Sequence, residues 1–121
     1  MKYSLSRPGE SLSRKILGPV PFKERFPAGR LKPPVGIMPG DVRSLPELHL
    51  FLEPDNASLP GINLKRLPEW IEVSIGDKEL AEAIRAIVDK GVNYVEDCLS
   101  VYEAVGVRLD QARGIIRETE V

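Results

Sequence analysis

One cysteine and one histidine in 121 residues remove two classes of small-protein chemistry. Cys98 has no partner for an internal disulfide, and His49 alone gives no ligand pair for a nitrogen/sulfur zinc site. A Ser-His-Asp or Cys-His nucleophilic system would have to run through His49, which stands between Leu48 and Leu50. A carboxylate-bridged two-metal site in a helical bundle needs histidines three residues after glutamates, and the sequence has none. It also lacks the GxxxxGK and GxGxxG runs that cradle phosphates. Apolar runs stay well below the roughly 18 residues of a membrane span, and Met1–Ser6 lacks the apolar stretch of a secretory signal. These absences predict a protein that is not an enzyme, holds no metal or cofactor, avoids membranes, and is cytoplasmic or virion-borne rather than secreted.

What is present is unevenly distributed. The 17 basic and 18 acidic residues nearly balance, yet residues 1–45 hold nine Lys or Arg against three acids, and residues 46–121 hold eight against fifteen. The first stretch also carries seven of the eleven prolines and five of the ten glycines, which interrupt helices and central strands. Between the prolines, apolar residues come singly or in pairs. The pattern predicts an extended basic arm over 1–45 joined to a small body over 46–121, with one short helix over 9–17 stopped by Gly18-Pro19.

The body reads as α+β. In 47–53, ELHLFLE alternates Leu48, Leu50 and Leu52 with His49 and Phe51, as a pleated strand does. In 69–76, EWIEVSIG alternates Ile71, Val73 and Ile75 with Trp70, Glu72 and Ser74. These two strands form the expected β-ribbon, with Val35–Met38 of the arm as a candidate third. From Asp77 the apolar period changes to 3.6, predicting three helices near 77–90, 93–105 and 110–118. Asp77, Asn93 and Asp110 stand as N-caps, and Gly91 and Gly106 as helix ends.

Two surfaces are candidates for binding. An arm too long for its own body needs another molecule to lie on, and Phe22, Phe26, Leu31, Val35, Ile37 and Met38 are spaced as anchors, with Arg25, Arg30 and Lys32 to set register. Residues 99–118 have the outline of a helix-turn-helix entered at Gly106, in which Arg108, Gln111, Arg113 and Arg117 would read bases and phosphates. The acidic surroundings of that segment oppose a phosphate backbone. The leading expectation is a structural or assembly subunit, in a virion shell or neck or a ribonucleoprotein-like particle, whose arm straps onto neighbouring protein subunits. A small nucleic-acid-binding regulator and an accessory subunit of a multi-subunit enzyme are the alternatives, with nucleic acid a further candidate partner of the basic arm.

Overall fold

The computed structural model describes residues 5–32, 34, 36–54 and 58–119, and the side chains of these other than 32, 37–39 and 119. The architecture is α+β, with five helices and a three-stranded antiparallel sheet among the described residues. None of these helices is long and apolar enough to cross a membrane.

Residues expected to form an extended arm are folded onto the rest. Helix α1 (Glu10–Leu17) starts after Gly9, buries Ser13 and Ile16, and ends at Gly18. Strands β1 (Phe26–Lys32) and β2 (Gly36–Val42) then form a hairpin. Ile16, Phe26, Val42 and Leu45 belong to the same hydrophobic core as Ile71, Ile75, Leu80 and Leu109. Composition misleads here because a proline breaks a sheet only where its missing donor would face a neighbouring strand.

Strand β3 (Leu59–Gly61) pairs with β1, giving the order β2-β1-β3. Pro60 lies opposite Arg30 and Pro39 opposite Gly29. Proline has no N–H, so the ladder to β3 must run through Gly29 and Leu31, and the ladder to β2 through the alternate residues of β1. Pro39 and Pro60 then present their missing donors to the outer edges of the sheet, where no ladder bond is lost. Tyr94 meets that outer edge of β3: its hydroxyl donates to the Pro60 carbonyl and accepts the Ile62 N–H at 2.9 Å.

The expected strand at 47–53 is a helix, α2 (Leu45–Leu52). Its start is a capping arrangement, with Ser44 Oγ accepting from Glu47 N at 3.3 Å and Pro46 in the first turn. Leu45, Leu48 and Leu52 are buried at helical spacing, while Leu50 is 65% exposed. The expected strand at 69–76 is also helical. Helix α3 (Leu67–Trp70) runs on into a π turn over Ile71–Ile75, closed where Gly76 N donates to Ile71 O at 2.9 Å. Leu67, Trp70, Ile71 and Ile75 face the core, and Val73, which the alternation groups with Ile71 and Ile75, is 70% exposed.

Helix α4 (Lys78–Lys90) follows the expected boundaries, with Asp77 accepting from Leu80 N at 3.1 Å and Gly91 closing it at φ 54°. The two helices expected after it are a single helix, α5 (Tyr94–Thr119), started by Asn93, whose Oδ1 accepts from Glu96 N at 2.9 Å. Neither Gly106 nor Asp110 interrupts it, because the buried stripe of Cys98, Val101, Val105, Leu109 and Ala112 passes through both positions without a change of period. Helix α5 is the spine of the fold. α1, α2 and α4 pack along it, and α3 packs on α4.

Candidate interaction surface

Between residues 23–27 and the α3–π segment lies a groove of about 560 Å³. Its aromatic part comes from two separate stretches of chain: the rings of Phe26 and Trp70 stand 5.6 Å apart, tilted by 44°. Trp70 Nε1 donates to the Glu24 carbonyl, which fixes the indole against the start of β1. Lys23, Arg25 and Arg66 line the groove together with Glu24 and Glu69, so cations outnumber acids on its walls.

Phe22, beside this lining, is 74% exposed. The Arg25 guanidinium lies 4.4 Å from the centre of the Phe22 ring, a cation–π contact, and also pairs with Asp41 at 3.6 Å. Arg25 Nε is buried and makes no hydrogen bond. Val73 lines the groove from the opposite wall. A projecting phenylalanine, a projecting valine, a tryptophan edge and arginines can together anchor a protein partner, aromatic rings and arginine being the types that concentrate binding energy at interfaces.

The residues expected to bind partners are dispersed. Phe22 and Arg25 are at this surface, but Phe26 is 6% exposed and belongs to the protein's own core. Arg30 closes the end of α2: its Nη1 donates to Phe51 O, Nη2 to Glu53 O at 3.1 Å, and Nε to Ser58 Oγ at 2.8 Å. Leu31 is on a different, uncharged trough with Leu59, Pro60 and Tyr94. Val35 and the side chains of Lys32, Ile37 and Met38 lie outside the described residues. A period of two over 69–76 hides the part that Arg66, Trp70 and Val73 play here. The apolar positions 67, 70, 71 and 75 carry the helical signal that exposes Val73.

The residues expected to read nucleic acid lie on α5, where no turn separates two helices. Arg108 is 1% exposed, and all five of its N–H donors are engaged. Nε and Nη2 bind the Asp77 carboxylate at 2.7 and 3.2 Å, Nη2 also binds Glu79 Oε1 at 2.7 Å, and Nη1 donates to Ser6 O at 2.6 Å and Gln111 Oε1 at 3.0 Å. Gln111 in turn donates to Leu5 O at 2.8 Å. Arg113 pairs loosely with Asp110 at 3.8 Å, and Arg117 is exposed. Arg108 and Gln111 thus hold the N-terminal segment instead of facing outward.

His49 stacks on Tyr102 with ring centres 4.2 Å apart and planes within 3°. Burial, aided by Arg113, holds its imidazole below the ordinary value, against smaller opposing effects of Asp110 and Glu53. Burial pushes the Cys98 thiol up, which disfavours the reactive thiolate. Among the described residues, no group of three or more His, Cys, Asp or Glu is placed to hold a metal ion. In comparison with known proteins, the chain matches no family model, no curated protein and no solved structure.

Proposed function

We propose that this chain is a non-catalytic structural or assembly subunit that joins a larger complex, of the virion or ribonucleoprotein kind, by seating a partner's surface on the groove beside Phe22. The observation that carries the reading is an exposed Phe22, braced by Arg25, next in sequence to a groove that Phe26, Trp70 and an exposed Val73 line. Apolar anchoring on Phe22 and Val73 supplies affinity, and Lys23, Arg25 and Arg66 steer an acidic or carbonyl-rich partner into register. The anchor is therefore a short rim of the folded molecule and not a long strap over 1–45.

A non-catalytic role agrees with the packing of the only imidazole flat on Tyr102 and of the only thiol in the core. An accessory subunit of a multi-subunit enzyme would use the same groove. The test is the double variant Phe22→Glu/Val73→Asp, compared with the native chain by native mass and by what co-purifies from its own cell. Loss of the associated subunits at an unchanged melting temperature is the expected result. Identical mass and company for both chains would overturn the reading.

A further inference from the structure

Residues 5–17 dock on the molecule as a separate unit. Glu79 takes both the backbone N–H and the hydroxyl of Ser6, at 2.7 and 2.8 Å, while Arg108 and Gln111 donate to the carbonyls of Ser6 and Leu5. Arg7 pairs with Glu118 near the end of α5. Helix α1 then seats Ile16, fully buried, and packs along α5. The cradle reads backbone atoms with three side chains, one of them a buried arginine locked in place by Asp77. Charge favours the same seating at one point, where Arg7 of the unit meets Glu118, while the carboxylates of Asp77 and Glu79 are paired with Arg108 of the cradle itself.

The connection from this unit to the hairpin runs from Gly18 to Arg25: Gly18-Pro19-Val20-Pro21, with Gly18 at φ −96°, ψ 165° and Pro21 at φ −57°, ψ 151°, leads into a 3-10 turn over Phe22–Glu24, and Val20 N donates to Arg43 O at 2.7 Å. Two prolines keep the start of this link straight, at about 3.1 Å per residue.

We propose that residues 5–17 are an exchangeable strap that seats on the α4–α5 cradle of a second copy of this chain as it does on its own. Every bond in the cradle is made to atoms the second copy also carries, so exchange preserves the cradle contacts and re-routes only the connection, where the Val20 N–H to Arg43 O bond is the contact at stake. The proposal rests on the assembly reading and names one partner for it, a second copy, on a surface other than the Phe22 groove.

The test uses full-length chains in which the buried Cys98 is replaced by Ala. A chain carrying Arg7→Cys is mixed at high concentration with one carrying Glu118→Cys, then treated with a short bismaleimide. Exchange predicts a covalent heterodimer linking position 7 of one copy to position 118 of the other, increasing with concentration. A partner carrying Asp89→Cys, at the far end of α4, should give several-fold less. A chain carrying both Arg7→Cys and Glu118→Cys should cross-link within itself, which reports correct seating. Absence of heterodimer at every concentration, or equal yield at 89 and 118, overturns the strap. Repeating the mixture in the Phe22→Glu/Val73→Asp background separates the two ideas: heterodimer should persist there even when groove-dependent partners are lost. If heterodimer is absent while partners still depend on the groove, the strap alone falls.

Discussion

The imidazole of His49 covers Gly106 so closely that a Cβ on Gly106 would stand 3.1 Å from Nε2. A glycine inside a 26-residue helix costs about 1 kcal/mol relative to alanine, and here the cost admits a ring from α2 onto the helix backbone. Gly114, in the same helix, has nothing within 4 Å of a Cβ. Gly114→Ala should therefore stabilise the protein by roughly 0.5–1 kcal/mol. Gly106→Ala should yield less than that or a loss, and should recover the gain when combined with His49→Ala. Denaturant unfolding of these three variants and of His49→Ala alone checks this.

Acid should weaken the fold through the same histidine. The folded protein holds His49 below the ordinary value near 6.5, so as pH falls the unfolded chain binds a proton first. Stability present at neutral and alkaline pH is lost as pH drops from about 6.5 through the folded value. His49→Gln should flatten that part of the curve of melting temperature against pH. A slope unchanged by the substitution would remove His49 as its cause.

Removing Arg108 should be among the most damaging single changes. Arg108→Met leaves Asp77 buried without its partner, a loss of about 3–5 kcal/mol for a broken buried pair. Adding Asp77→Asn removes the stranded charge and keeps an acceptor for Leu80 N, so the double variant should regain a large part. Chemical denaturation of both tells whether stranded charge, or merely lost packing, dominates.

Two leucines of α2 should respond in opposite ways. Leu48 is fully buried, and Leu48→Ala should cost about 2–5 kcal/mol. Leu50 projects into solvent, and Leu50→Lys should change stability by no more than about 0.5 kcal/mol. A β-strand over 47–53 would bury both, so similar costs would contradict the helix.

Much of the C-terminal half is legible in the sequence because its signals are local. Asp77 and Asn93 cap helices at their expected positions, and Gly91 ends α4. The helix over 9–17 is legible from Leu12, Ile16 and Gly18 in the same way. Sequence and structure part where two periods fit one short apolar run. Leucines at 48, 50 and 52 satisfy alternation, and only the buried set 45, 48 and 52, with Ser44 and Glu47 at the start, reveals a helix. Gly106 resembles a stop because the histidine that needs it is 57 positions earlier in the chain, beyond any local pattern. Half of the groove is visible as Phe22 and Arg25, but Trp70 and Val73 reach it through a segment whose helical period is masked by alternation. The long-range closure of residues 5–45 depends on Ile16, Phe26 and Val42 entering the core and, at the first residues, on Arg108, Glu79 and Gln111 meeting Leu5 and Ser6, pairings that composition does not encode.

The placement of Pro39 and Pro60 limits how copies of this protein can meet. A third-party strand added beside β2 would find a gap in the row of donors at Pro39, and one added beside β3 would find the tyrosine hydroxyl of Tyr94 already occupying the backbone. Fibre-like growth by joining sheet margin to sheet margin is thus blunted on both flanks.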